Sequence, residues 1–103
     1  MTEPENTSIV QFTPAALADL ESIWDYVAED SPLKADRLIE TLLESAQGLG
    51  DFPKMGHRRT DLADEALRVW PVYSFLIIYR ETAGAVEIIR IVSGLRDLSR
   101  LFG

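Results

Sequence analysis

The chain contains no cysteine and only one histidine in 103 residues. Disulfides and thiolate nucleophiles are therefore excluded, and a single imidazole cannot build a zinc site of the usual cysteine and histidine ligands. We predict no metal site and no cofactor. Long apolar runs are missing too, since no stretch approaches the roughly 20 apolar residues that a membrane-spanning helix requires. The sequence therefore predicts a protein without a membrane anchor.

Basic residues are scarce, with 10 Lys and Arg against 17 Asp and Glu, which gives a net charge of −7. This balance argues against a generic nucleic-acid binder, whose surface is strongly basic. Residues 1–53 carry 11 acids and 2 bases, whereas residues 54–103 carry 6 acids and 8 bases. If the two halves form different layers, the protein has an acidic side and a mildly basic side. We predict no sequence-specific nucleic-acid binding by this chain.

The length of the chain suits one domain, because a domain of this size buries about two-thirds of the surface of its unfolded chain. The N-terminal segment has no basic residue and no apolar run, unlike a secretory signal. We therefore predict a flexible N-terminal tail at residues 1–8, a single domain at residues 9–103 and a cytoplasmic location.

Two helix-start signals divide the first half of the chain. Ile9–Phe12 is typical of a short strand, and Thr13 followed by Pro14 then predicts a helix. Threonine caps the first free amides of a helix, and proline has no amide to leave unpaired. Ser31 and Pro32 repeat the signal and predict a second helix.

Apolar residues recur at helical spacing after each of these signals. The first stripe contains Leu17, Leu20, Trp24 and Val27, and the second contains Ala35, Leu38, Leu42, Ala46 and Leu49. Trp24 is therefore predicted to lie in the core. Gly48 and Gly50 permit a left-handed stop of the second helix. Because the link between the helices is about two residues long, they are predicted to form a hairpin.

Three short β-type runs with tight connections follow, at Leu67–Trp70, Ser74–Arg80 and Val86–Val92. Pro71 separates the first two runs and, because it cannot donate to a strand ladder, is predicted to lie at an edge or in a turn. Gly84 supplies the positive φ of a hairpin between the last two. The predicted fold class is α+β, with an N-terminal strand and a helical hairpin packed on a three- to four-stranded antiparallel sheet.

This predicted sheet is apolar on both faces. In the last strand, alternation puts Val86, Ile88 and Val92 on one face together with Arg90. The helical hairpin can cover one face, and the other needs a different cover. We expect a partner chain to provide it. The alternative is that the C-terminal segment Leu98–Phe102 folds back over the sheet.

Arginines stand among the apolar residues of the predicted sheet and just after it, at Arg68, Arg80, Arg90 and Arg96. Charged side chains are seldom buried without a partner, so packing alone does not explain them. We interpret them as candidates for contacts with a binding partner. For Arg90 the alternative is a structural ion pair with Glu87 or with an acid of a helix.

A short loop gathers further cations, with Lys54, His57, Arg58 and Arg59 within six residues around Gly56. Such a loop can cradle a phosphate or a carboxylate. The alternative is a solvated loop that offsets the acidic helices.

In the order and spacing of these features, the chain resembles the ParE/RelE superfamily of type II toxin-antitoxin toxins over nearly all of Ile9 to Phe102. The motifs that carry the resemblance are Asp19-Leu20 with Ile23 and Tyr26, Phe52-Pro53 followed by Gly56 and Arg59, Leu67-Arg68, Ile78-Tyr79-Arg80, Ile88-Ile89-Arg90-Ile91 and Arg96-Asp97.

The resemblance implies a small toxin that a cognate antitoxin, ParD-like or another small DNA-binding protein, holds silent in a hetero-oligomer. RelE-like members are ribosome-dependent ribonucleases that cut messenger RNA. ParE-like members are associated with plasmid stabilization and with inhibition of DNA gyrase, and they have no established catalytic residues.

The proton-transfer residues of the ribonuclease branch are missing from this sequence. Arg96 stands where that branch keeps a phosphate-stabilising arginine. Phe102, however, stands where those nucleases often have tyrosine, Ser93 where many have histidine, and Trp70 and Pro71 where an arginine is expected. RNA cleavage requires groups that move protons. The chain is therefore predicted to be a ParE-like inhibitor rather than an enzyme.

Two alternatives to this prediction remain open. One is a RelE-like ribosome-dependent mRNA endonuclease, and the other is an inactive member that only forms the antitoxin complex. No catalytic residue is assigned. The candidates for contacts with the target or the antitoxin are Arg58, Arg59, Arg68, Arg80, Arg90 and Arg96.

Overall fold

The protein is described here from a computed structural model, which covers residues 8–102. Its elements are β1 (Ile9–Phe12), α1 (Pro14–Ala28), α2 (Pro32–Asp51), β2 (His57–Arg58), β3 (Leu67–Val72), β4 (Phe75–Thr82), β5 (Ala85–Ser93) and α3 (Leu98–Phe102). Residues 1–7 of the predicted tail lie outside the described range. Ser8 is buried, and its N–H donates to the Gly50 carbonyl at 2.9 Å.

The α+β class is confirmed, but the sheet is larger than predicted and mixed. Its five strands lie in the order β1-β5-β4-β3-β2. Only β1 is parallel to its neighbour, with Ile9 opposite Ala85, while the other pairs are antiparallel. The strand β2 has two residues, which is too short to leave a periodic pattern in the sequence.

Both predicted helix starts are confirmed. The Thr13 side chain accepts from the Ala16 N–H, and the Ser31 side chain accepts from the Lys34 N–H. The predicted stop at the glycines is wrong, because α2 continues to Asp51. A Cβ on Gly50 would lie 2.5 Å from the Val10 side chain, so this glycine permits close packing of β1 against α2.

The buried face of α1 is rotated from the predicted stripe. Ala16 and Leu20 are buried, with Ile23 packed against the same cluster, whereas Leu17 and Trp24 are exposed. The indole N–H of Trp24 donates to Asp36 Oδ1 of α2 at 2.8 Å, so this tryptophan joins the two helices at their surface. The stripe predicted in α2 is confirmed.

Pro71 lies inside β3 and does not separate two strands. The short partner β2 pairs only with Arg68 and Val69 of β3, so the outer edge of β3 is free at position 71. Of the two positions predicted for Pro71, an edge or a turn, the structure contains the edge, where a proline that lacks its N–H is tolerated.

A register shift between Ile78 and Tyr79 changes the faces of β5. Val86, Ile88 and Ile91 pack in the core between sheet and helices. Val92, which simple alternation placed with them, belongs to the apolar cluster on the other face. The extra residue of the bulge explains the error, because it reverses the in-and-out alternation that follows.

The second face of the sheet is covered by the chain itself. Its cluster combines strand residues with Leu62 from the β2–β3 loop and Leu98 from α3, with Leu101 and Phe102 packed against it. The expectation that a partner chain covers this face is therefore wrong. The structure contains the alternative, in which the C-terminal segment folds back over the sheet. None of the helices within residues 8–102 is long and apolar enough to cross a membrane.

Candidate target-contact site

The cationic loop after α2 is held by one buried tyrosine. The Tyr79 hydroxyl of β4 donates to the Pro53 carbonyl and accepts from the Gly56 N–H, each at 2.8 Å. Burial raises the pKa of the Tyr79 phenol above its ordinary 10.0, so it remains protonated and can donate. A Cβ on Gly56 would collide with the same hydroxyl. Glycine is therefore required where the loop crosses Tyr79.

Arg68 of β3 holds the same loop from its other side. Its Nη1 donates to the Gly56 carbonyl at 2.9 Å and to the Lys54 carbonyl at 3.4 Å. One nitrogen of the guanidinium thus binds the loop backbone. The side chain is half-buried, so Arg68 contributes to the position of the loop as well as to its charge.

Two arginines lie directly opposite each other at this edge of the sheet. Arg58 of β2 pairs with Arg68 of β3 in the strand register, and directly opposite side chains in an antiparallel pair share a face. Like charges in this position are destabilising. An anionic group bound there would remove the repulsion.

Arg59, the next residue, is neutralised within its own loop. Its Nε and Nη2 donate to the two carboxylate oxygens of Asp61 at 2.8 and 2.7 Å. This hydrogen bonding lowers the pKa of the Asp61 carboxyl to about 2. The pKa of the Asp97 carboxyl at the start of α3 is also lowered, chiefly by the hydrogen bond from the Ser99 hydroxyl and to a smaller extent by the charge of Arg59.

Arg80 and Arg90 both have carboxylate partners. Arg80 donates to Asp64 at 2.8 Å and to Glu87 at 2.7 Å. Arg90 binds Asp19 of α1 through Nε and Nη2 at 2.7 and 2.9 Å. Asp64 and Asp19 are far from their partners in sequence, and no local pattern identifies either pair. Of the two structural ion pairs considered for Arg90, the structure contains the one with an acid of a helix, Asp19.

Arg96 differs from these because it is exposed and forms no ion pair within residues 8–102. It lies between β5 and α3, where the Gly94 N–H donates to the Ser74 carbonyl at 2.7 Å. Its neighbour Asp97 accepts from the backbone N–H and the hydroxyl of Ser99, at 3.1 and 2.6 Å. Arg58, Arg68 and Arg96 are thus the three candidate arginines without an ion pair in the described range, and of these Arg68 donates to backbone carbonyls.

Of the positions considered for proton transfer, His57, Ser93 and Phe102, none is hydrogen-bonded to an acidic or basic side chain within residues 8–102. His57 is exposed, and within residues 8–102 its side chain has no hydrogen-bond partner. The Phe102 ring packs against the second apolar cluster, and the Ser93 hydroxyl accepts from the Leu95 N–H at 3.3 Å. The described residues also contain no cluster of three or more His, Asp or Glu suited to a metal ion.

Sequence reasoning missed Tyr79 as the residue that holds the loop, and it missed Asp64 as a partner of Arg80. Tyr79 occupies an apolar run in which any large residue satisfies the strand pattern. Its one distinguishing feature in the sequence is a hydroxyl at a buried position, where a hydrogen-bond partner is needed.

Comparisons with known proteins agree with this fold. The sequence model of the family described as "ParE toxin of type II toxin-antitoxin system, parDE" matches residues 10–98. The chain is 38% identical over 82 residues to Toxin RelE2 of Caulobacter vibrioides, a match that covers 80% of this chain and 90% of that protein.

Two solved structures share the fold. One is described as a chromosomal ParDE toxin-antitoxin system from P. aeruginosa, with TM-score 0.72, 24% identity and coverage of 84% of this chain and 96% of that one. The other is the toxin-antitoxin complex RelBE2 from Mycobacterium tuberculosis, with TM-score 0.65, 19% identity and coverage of 89% and 97%.

The fold and the matched motifs therefore define a toxin of the ParE/RelE superfamily. Within that class, the chain belongs to the ParE toxin family of type II toxin-antitoxin systems.

Proposed function

We propose that this toxin is ParE-like in action: it arrests growth through protein contacts with DNA gyrase, catalyses no reaction, and is neutralised by a cognate antitoxin. The observation that carries the proposal is the setting of Arg96, an exposed cation whose neighbouring carboxylate, Asp97, is hydrogen-bonded to Ser99, while Phe102 packs against the second apolar cluster and has no hydroxyl. Cations alone stabilise a phosphate but do not supply the acid and base that RNA cleavage needs.

The charge of the chain supports the same proposal. A protein of net charge −7 is repelled by the phosphates of the ribosome, whereas repulsion of this kind does not oppose docking on a protein surface. The fold relative from P. aeruginosa belongs to a ParDE system, and the matched family is named after ParE. Gyrase is proposed as the target because the resemblance to ParE-like toxins implies it.

An antitoxin partner is proposed on the likeness to the two toxin-antitoxin systems. The helical hairpin offers exposed apolar side chains for such a contact, among them Leu17, Trp24 and Leu43. It is also acidic, so a basic antitoxin segment would complement it.

A second candidate function is ribosome-dependent mRNA cleavage. It is favoured by the 38% identity to a protein named Toxin RelE2. A third is an inactive member that only forms the antitoxin complex.

The three candidates separate in one set of assays with purified toxin. Toxin is titrated into a DNA gyrase supercoiling reaction and, separately, into a translation reaction in which mRNA cleavage is mapped. We expect supercoiling to fall, the antitoxin encoded beside the toxin to restore it, and no cleavage to occur. Cleavage with intact supercoiling would support the second candidate, and a protein inert in both assays and in growth tests would support the third.

A matched pair of variants shows whether any inhibition is specific. Arg96→Gln removes the exposed cation after β5, whereas Arg37→Gln removes another exposed cation from α2. We expect only the first variant to lose inhibition. Equal loss in both would indicate that inhibition follows overall charge and would contradict a specific contact.

A further inference from the structure

The turn between β3 and β4 holds a bulky residue in a backbone conformation that favours glycine. Tyr73 has φ 54°, the only positive φ of a non-glycine residue within residues 8–102. The turn has two residues, because Val72 pairs with Phe75 on either side of it. Left-handed φ is disfavoured for bulky side chains, and such turns normally use glycine or asparagine.

The strained backbone at Tyr73 does not place its side chain in the core. The Tyr73 side chain is 79% exposed and belongs to neither apolar cluster. Strained residues that persist without a packing role are concentrated at functional sites. The turn therefore presents an aromatic ring to solvent where the fold alone would favour glycine.

A second exposed apolar residue lies on the adjacent turn. Leu95 is 98% exposed and stands in the turn between β5 and α3. The hydrogen bond from the Gly94 N–H to the Ser74 carbonyl, at 2.7 Å, fastens this turn to the turn of Tyr73. The exposed Arg96 follows immediately. We name the surface formed by Tyr73, Leu95 and Arg96 the two-turn tip.

We infer that the two-turn tip is the surface with which the toxin binds its protein target, at a site that offers an apolar pocket bordered by carboxylates. This inference rests on the proposed function and assigns it to particular residues. Tyrosine and arginine are enriched among the residues that dominate binding energy at protein interfaces. Tyr73 and Leu95 would fill the pocket, and Arg96 would pair with an acid at its border.

The pairing of the arginines indicates what kind of partner the two-turn tip binds. Arg59, Arg80 and Arg90 are paired with carboxylates of the chain, whereas Arg96 is left without one in the described range. Burial of an unpaired cation in a complex is costly, so the partner must supply an acid. RNA is disfavoured, because the chain as a whole is acidic and Leu95, beside the one ring of the tip, offers a base neither a ring nor a charge.

The test uses three variants of the complete chain: Tyr73→Gly, Leu95→Ser and a triple variant that adds Arg96→Gln. Glycine suits the left-handed backbone at position 73, so the first variant keeps the turn while it removes the ring. Matched controls are Tyr26→Ala and Arg37→Gln, both at exposed positions of the helical hairpin. Each protein is measured for thermal unfolding, for binding to the antitoxin encoded beside it, for growth arrest, and for gyrase inhibition.

We expect the tip variants to melt at or above the temperature of the unmodified protein and to bind the antitoxin unchanged. About tenfold more of each should be needed for growth arrest, with a larger loss for the triple variant. The controls should arrest growth normally. If the unmodified toxin arrests growth without inhibiting gyrase, and the arrest still depends on the tip, then gyrase is the wrong target and the tip remains the target surface.

Four outcomes would overturn the inference. Full toxicity of the triple variant would place the target contact elsewhere. Loss of antitoxin binding with unchanged toxicity would make the tip an antitoxin surface. Ribosome-dependent cleavage that the triple variant loses would make the occupant RNA. An unmodified protein that arrests no growth would overturn both the inference and the proposed function.

Discussion

Asp19 of α1 and Arg90 of β5 are 71 positions apart and form a bidentate ion pair, with donor-acceptor distances of 2.7 and 2.9 Å. The same carboxylate also accepts from the Ile91 N–H at 2.9 Å. Nearby, the Thr13 hydroxyl donates to the Ile89 carbonyl at 2.7 Å. The strand β1 ends at Phe12, so these side chains supply bonds to the edge of β5 beyond it. The first helix therefore protects an edge strand that would otherwise be open.

The Asp19 contact is therefore expected to be structural. Asp19→Ala should lower the free energy of unfolding by about 2–3 kcal/mol, because it leaves a charged arginine and a backbone N–H without their acceptor. Urea denaturation measures the loss. Asp25→Ala removes an exposed acid from the same helix and should change stability by less than about 0.5 kcal/mol. Equal stability of both variants would contradict the assigned role.

The loop clamp, formed by the Tyr79 hydroxyl with the backbone of Pro53 and Gly56, provides a second stability prediction. Tyr79→Phe removes one hydroxyl and leaves the Pro53 carbonyl and the Gly56 N–H unpaired in a buried position. We expect a loss of about 1–3 kcal/mol in unfolding free energy. Tyr26→Phe removes an exposed hydroxyl and serves as the control, with little expected change. A Tyr79→Phe protein as stable as the unmodified one would show that the clamp is dispensable.

The Arg59 and Asp61 pair predicts a measurable carboxyl titration. The folded pKa of Asp61 is about 2, below the ordinary 3.8, because Arg59 donates to the carboxylate. The pair therefore stabilises the fold above pH 3.8, and the contribution is lost as the pH falls toward 2. In Arg59→Gln, carbon NMR of the Asp61 carboxyl should show the midpoint returning toward 3.8. A midpoint that stays near 2 would assign the shift to another cause.

Four of the six candidate arginines are expected to separate into two groups. Arg80→Lys and Arg90→Lys keep the charge but lose two-pronged pairing, so they should lower the melting temperature and keep toxicity at matched levels of folded protein. Arg58→Gln and Arg96→Gln remove unpaired cations and should lower toxicity with little change in melting. Thermal unfolding and growth-arrest titration measure both properties. The reverse pattern would move the target contact onto the paired arginines.

The absence of a proton-transfer group is tested by restoring one. Phe102→Tyr adds the hydroxyl that ribonuclease relatives often have at this position, and we expect no mRNA cleavage on translating ribosomes before or after the change. The ring packs against the second apolar cluster, whose members are all apolar side chains. Measurable cleavage in the variant would show that the remaining site is competent for catalysis.

The sequence by itself determined the local structure of this protein. Thr13-Pro14 and Ser31-Pro32 start helices because a capping side chain and the amides it binds lie within three residues of each other. The stripe in α2 and the runs of β4 and β5 follow from the periodicity of each element. These features depend only on neighbours in the chain, so they were predicted before any contact was known.

Only the tertiary structure decided which arginines are free. Arg90 and Asp19 meet because the hairpin lies along β5, and Arg80 meets Asp64 across a loop. A guanidinium paired with a carboxylate of the chain stabilises the fold, whereas an unpaired one is available to bind a partner. The local sequence around each arginine does not distinguish the two cases. Long-range pairing depends on sheet order and on the bulge in β5, and neither leaves a local signal.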